Sequence, residues 1–232
     1  MDFKNSGKLK AVTFSYDDAV VQDVQLIELL NKYGLKCTFN LNSGFLGGSN
    51  FLDRVGKRIC HYKIKAEDVK YVYEGHEVAV HTVTHPLLTE ISDSDIIYQV
   101  EEDRKRLEEL VGYDIVGMAY PCGRANKHVA NVIRDNTAVK YCRTIQSTHN
   151  FDEQKNLYLF DPSVYHLDFD NMMDLGKQFV ESKPEKPQIF YIWGHAFEMD
   201  YDSKNWVKLE EFFELIANHD DICYCTNKEA LL

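Results

Sequence analysis

The stretch Val78-Ala79-Val80-His81-Thr82-Val83-Thr84-His85-Pro86 passes from strand-forming apolar residues to two histidines four positions apart. Neutral imidazole is a frequent ligand for divalent metals, so a pair in one short segment is a candidate metal site. The pair cannot sit on a straight strand. At about 3.3 Å per residue, four extended steps part the two Cα atoms by roughly 13 Å, too far for both rings to reach an ion about 2 Å from each nitrogen. The chain must therefore run extended to His81 and curl beyond it. Thr82 and Thr84 can hold the curl by bonding nearby backbone, and Pro86 biases His85 away from helix. Two ordinary histidines in a strand and turn are the competing reading, so the rest of the chain has to decide.

Working outward, the same pattern of strand and then helix repeats. Lys8 to Tyr16 reads as a first strand, followed at once by Asp17-Asp18 and by apolar positions of helical period from Val20 to Tyr33, with Gly34 as the stop. A second strand spans Leu35 to Leu41, residues 49 to 64 give no clear pattern, and Lys65 to Tyr73 suits a short helix before the His76 to His81 strand. Ser92 to Asp95 offers N-caps for an amphipathic helix that ends at Gly112. Further strands are read at 115–120, 139–145, 163–167 and 188–193, with a last short one at 222–225 and helices at 126–136, 171–182 and 206–217. Such alternation implies a parallel sheet, closed or open, whose sites form at the carboxyl ends of the strands. Asp17, Asp18, His81, His85, the Tyr120 to Gly123 turn, Arg143 and His195 all fall at those ends.

The 232 residues suffice for a sizeable core, and no shift of composition marks a linker. A formal charge of −11 argues against nucleic acid or an anionic membrane as partner and favours a neutral or cationic substrate. The six cysteines show neither CxxC nor zinc-finger spacing and read as reduced thiols, and the first residues lack the apolar core of a signal peptide. A cytoplasmic location is the expectation. The sequence carries no indication of oligomeric state.

A carboxylate with two imidazoles is a standard ligand set for zinc or a similar ion, and such an ion lowers the pKa of water and polarises a carbonyl. Hydrolysis also needs a base and an acid, roles open to Asp17 and His195. Asp17 and Asp18 could instead be caps of the following helix.

The order SYDD (15–18), HTVTH (81–85), AYPCG (119–123) and WGH (193–195) resembles the polysaccharide deacetylases, the NodB-like carbohydrate esterases of family four, over nearly the whole chain. The resemblance implies an irregular, incomplete (β/α) barrel of about seven strands, with residues 1–232 as one domain. It implies metal-dependent removal of an N- or O-acetyl group from an acetylated carbohydrate. Asp17 would be the base, Asp18, His81 and His85 the metal ligands, Thr82 the support of the curl and His195 the acid. Zinc is the expected metal, with cobalt, manganese or nickel as substitutes.

The chain departs from the family in three places. Ala119 stands where the family has the arginine that braces the base, and Arg143, from the next strand, is the cation nominated to replace it. The Cys122 backbone N–H can still serve an oxyanion beside Tyr120. Trp193 replaces a leucine and could stack on sugar or simply fill the core. The acidic and tryptophan segment that orients the acid has no match, Asp161 lying in the right region without the rest, and Glu198 is the alternative partner for His195. These gaps motivate a second reading, a carbohydrate-binding pseudoenzyme. A glycosidase would need carboxylates on both sides of a glycosidic bond, which adjacent Asp17 and Asp18 cannot provide.

Overall fold

The computed structural model describes residues 3–232. Strand β1 (Lys10–Asp17) is buried at all eight positions, as a parallel strand covered on both faces must be. Around it run β2 (Cys37–Leu41), β5 (Glu77–Val80), β6 (Gly117–Ala119), β7 (Tyr141–Arg143), β8 (Val164–Tyr165) and β9 (Gln188–Gly194). The order in space is β7-β6-β5-β2-β1-β9-β8, every pair parallel. Strand β10 (Ile222–Tyr224) pairs with the first residues of β1, below the place where β2 takes over that edge. The sheet curls into an incomplete barrel. Its open side is crossed by one parallel bridge, Arg143 with Phe160, rather than by a ladder.

The helices begin and end on local signals. In α3 (Asp93–Val111) the Ser92 hydroxyl accepts from the Asp95 amide, and Gly112 closes the helix at φ 80°. Asn126 caps α4 (Lys127–Asn136) in the same way. Helix α1 (Asp23–Lys32) follows Gln22, whose side chain makes no cap, so neither Asp17 nor Asp18 serves as one. Helices α2 (Val69–Val72), α5 (Phe169–Glu181), α6 (Asn205–Ile216) and α7 (Asn227–Leu231) complete the set. The buried Lys10 ammonium donates to the Phe179, Val180 and Ser182 carbonyls at the end of α5 and pairs with Asp221 at 2.9 Å.

Residues 49 to 64, unreadable in sequence, contain a hairpin of β3 (Phe51–Arg54) and β4 (Lys57–Cys60). Its two-residue turn has Val55 at φ 49° and Gly56 at φ 73°. Paired positive φ values mark a hairpin turn that usually starts with Asn or Asp, and a β-branched valine there hides it. Among the described residues no helix is long and apolar enough to cross a membrane.

Candidate active site

His81 directly follows β5, and its backbone leaves the sheet there. Thr82 at φ 69° and His85 at φ 54° make the curl, and the Thr82 hydroxyl accepts from the His85 amide at 3.1 Å. Asn42, after β2, ties the loop down by donating to the His81 and Thr82 carbonyls. Asp103, from α3, accepts from the His81 amide at 3.1 Å and from the Ser43 amide at 2.7 Å. The His81 Nδ1 donates to the Ala119 carbonyl at 2.8 Å, which fixes the tautomer and leaves the Nε2 lone pair facing the cleft. Burial pushes the ring's pKa down to about 4, so the imidazole is neutral.

That Nε2 is buried and has no hydrogen-bond partner among the described residues. Ligand atoms of Asp18, His81 and His85 all lie within 4.8 Å of one another. An orphaned imidazole nitrogen aimed at a carboxylate and a second imidazole fits a divalent ion of the zinc class. Asp18 sits at φ 88°, which turns its carboxylate back over the barrel mouth. One of its oxygens meets His61 Nε2 at 3.2 Å, and its carbonyl accepts from Lys63 at 2.7 Å. Burial works against the Asp18 charge, but His61 and Lys63 outweigh it and hold the carboxyl well below the usual range.

Asp17 reaches the same His81 imidazole but is held by other partners. The Arg143 Nη2 donates to both of its oxygens at 2.6 Å, and Asn40 Nδ2 donates to Oδ1 at 2.8 Å. The Arg143 Nε donates to Ser15 at 3.1 Å, and the guanidinium lies 4.8 Å from the Trp193 ring centre. The cation missing at position 119 thus arrives from the neighbouring strand end. Burial alone would raise the Asp17 carboxyl, but Arg143 and the nearby imidazoles bring it below its ordinary value. His81 Nε2 and His195 Nε2 each stand 3.9 Å from Asp17 Oδ2.

His195 follows β9 and opens a short helical turn, Ala196–Tyr201. The turn carries Glu198 back under the ring, where Oε2 accepts from His195 Nδ1 at 3.0 Å and from the His195 amide at 3.1 Å. The same oxygen meets His166 Nε2 at 2.8 Å, while Tyr165 donates to Oε1 at 2.5 Å. His166 in turn meets the Tyr16 hydroxyl at 3.0 Å. Burial opposes protonation of His195, but the Glu198, Asp17 and Asp18 carboxylates raise it to about 9. A Cβ on Gly194 would lie 2.3 Å from the His166 ring, so only glycine lets β9 pass beside this histidine.

Four further residues named from the sequence are placed as follows. Tyr120 is 1% exposed, and its hydroxyl donates to the Tyr158 carbonyl at 2.8 Å, so its side chain is engaged elsewhere. Trp193 is 8% exposed and packs against Tyr165, Arg143 and the edge of the His195 ring, 5.8 Å between ring centres. Cys122 is exposed on the Pro121–Gly123 turn at φ 53°. Asp161 accepts from the Thr144 hydroxyl, with no His195 contact among the described residues. Four residues that the sequence reading missed complete the site: Asn40, His61, Lys63 and His166. Only His166 carried a signal, a histidine at a strand end like His195.

A cavity of about 650 Å³ opens beside the cluster, lined by Asp18, His61, Lys63, His85, Phe45 and Phe197 among others. The family model described as polysaccharide deacetylase matches residues 4–139. The chain belongs to the polysaccharide deacetylase family. Among curated proteins it is 29% identical over 126 residues to the peptidoglycan-N-acetylglucosamine deacetylase PgdA of Listeria monocytogenes, covering 53% of this chain and 24% of that protein. The chain thus spans about a quarter of the length of that relative. Two solved structures share the fold. The carbohydrate esterase domain of a xylanase from the hindgut metagenome of Trinervitermes trinervoides superposes with TM-score 0.58 at 17% identity, covering 95% of this chain and 89% of that one. A family 4 pseudoenzyme from Bacillus anthracis gives 0.57 at 16% identity, covering 96% and 66%.

Proposed function

We propose that residues 1–232 act as one metal-dependent deacetylase, hydrolysing an N- or O-acetyl group on an acetylated sugar or polysaccharide and releasing acetate. The observation that carries this reading is the buried, unpartnered His81 Nε2 facing Asp18 and His85. Those three residues would hold the ion, with zinc favoured by the mixed nitrogen and oxygen donors. When bound, it supplies Lewis acidity to the acetyl carbonyl and to the attacking water. Asp17 takes the proton from that water as its oxygen bonds to the carbonyl carbon. Arg143 keeps Asp17 ionised and fixes its direction. The bond from carbon to the departing nitrogen or oxygen then breaks, and His195 Nε2 gives its proton to the leaving group. Asp17, 3.9 Å away, can return the abstracted proton to His195. The Cys122 amide, on the turn after β6, is the candidate donor to the oxyanion.

The pseudoenzyme reading rested on two gaps in the sequence. Arg143 lies where the brace of the base is needed, and Glu198 with His166 lies where the support of the acid is needed. This supports catalysis over binding alone. The test is acetate release by metal-loaded protein from chito-oligosaccharides, peptidoglycan fragments, acetyl-xylan and simple N-acetyl sugars. Asp17→Asn should retain metal and lose release. Protein that neither holds metal nor gains activity with added Zn²⁺ or Co²⁺ would overturn the proposal.

A further inference from the structure

The chain is strongly acidic, yet the cavity beside the cluster is not. Its only carboxylate-bearing lining residue is Asp18, whereas Arg54, Lys63, His61 and His85 all face it. Asp18 is already engaged by His61 and Lys63. Arg54 sits at the end of β3, on the exposed rim of the hairpin. Its Nη1 donates to the Asp53 carbonyl at 3.0 Å, and among the described residues no carboxylate lies within ion-pair distance of it. Lys63, by contrast, is buried at the foot of the same wall, with Nζ 3.8 Å from Asp18 Oδ2. The apolar part of the lining comes from Phe45, Leu46, Leu52 and Phe197. The volume of about 650 Å³ falls within the roughly 300–1,000 Å³ usual for small-molecule sites.

In a chain of net charge −11, a pocket lined by Arg54, Lys63, His61 and His85 with Asp18 as its one carboxylate runs against the overall balance of charge. The Arg54 guanidinium also meets the Tyr201 side chain, and a planar fork of donors at a pocket rim suits a carboxylate or a phosphate. From this we infer that the hairpin wall selects substrates bearing an anionic substituent on the acetylated sugar, with Arg54 as the principal contact and Lys63 adding positive potential. The local field thereby reverses the preference for neutral or cationic substrates suggested by net charge. The inference rests on the deacetylase reading for its reacting group, but the anion contact is separable from it.

The experiment compares metal-loaded wild type with Arg54→Gln and Arg54→Glu on three small ligands: N-acetylglucosamine, N-acetylmuramic acid and N-acetylglucosamine 6-phosphate. The last two distinguish a carboxylate from a phosphate as the preferred anion. Wild type should favour at least one anionic sugar in kcat/KM. The ratio of that substrate to N-acetylglucosamine should fall about tenfold in Arg54→Gln, the worth of one half-exposed charge-assisted contact, and further in Arg54→Glu. The wild-type preference should also weaken as salt rises. A preference for the neutral sugar, or a ratio unmoved by both substitutions, overturns the inference. If no ligand releases acetate, the deacetylase reading fails on these substrates, and calorimetric binding of the same ligands to the same three proteins decides the anion contact independently.

Discussion

The two halves of the site are built differently. On the proposed ligand side, His81 and His85 come from one nine-residue stretch whose curl is set by short-range spacing, while Asp18 follows β1, two strands away from β5 in the sheet. On the proposed proton-transfer side, most contacts are long-range. Asp17 meets Arg143 across 126 positions, and His166 reaches Glu198 across 32. Only the Glu198 contact with His195 is local, spanning three residues. A family can keep the first side as a recognisable string. The second can be rebuilt from other strand ends, provided that charge and hydrogen bonding arrive at the same points in space.

The comparison is most exposed to a change that removes the ligand side. His81→Ala should abolish metal retention and lower acetate release on the order of 10³-fold or more, since Lewis acidity and water activation both go. Elemental analysis read beside the rate assay checks it. Full activity in metal-free protein would show that the two sides do not divide the work as described.

Arg143→Ala attacks the other half. Turnover should drop about 10²-fold through misdirection of Asp17, with metal content unchanged. The variant should also lose about 3–5 kcal/mol of stability, because Asp17 is left as a buried, uncompensated charge. Arg143→Lys should rescue poorly, as one ammonium cannot hold Ser15, the Thr144 carbonyl and Asp17 together as the planar guanidinium does. Denaturant unfolding and metal analysis separate these effects, and a loss of metal in Arg143→Ala would blur the division.

Glu198→Gln should cost roughly 10- to 100-fold, part of the 10²–10⁴ available from general acid catalysis. The sign of its pH effect follows from the raised pKa of His195. The acid form is present below about 9 and disappears as pH rises through that value, so kcat declines on the alkaline side. Removing the carboxylate charge lowers that pKa, and the decline should begin at lower pH. A pH profile of kcat with an unmoved alkaline limb would remove Glu198 from this role.

The smallest effect belongs to the hairpin turn. Val55→Asn relieves a β-branched residue at positive φ and should stabilise by about 1 kcal/mol, a Tm rise of about 2–4 °C for a chain of this size. Calorimetry reads the shift. Turnover of N-acetylglucosamine should stay within twofold of wild type, because the change is confined to the turn.

Sequence alone determined the alternation of strand and helix, the end of α3 at Gly112 and its start within Ser92 to Asp95, and the gathering of acids and histidines at strand ends. These rest on period, caps and turns, which act over a few residues. The need for a curl between His81 and His85 was legible for the same reason, since chain reach is a local quantity. Sequence could nominate Arg143 and Glu198 but could not choose them; it was silent on Asn40, His61 and Lys63, and for His166 it offered only a histidine at a strand end. The hairpin was hidden because Val55 stands where Asn or Asp would announce the turn, and its strands are largely exposed and unpatterned. Tertiary structure decided the braces because the curled sheet sets which strand ends meet. Once Asp17 and Arg143 are buried side by side, the cost of an unpaired charge fixes the pair wherever in the chain its members began.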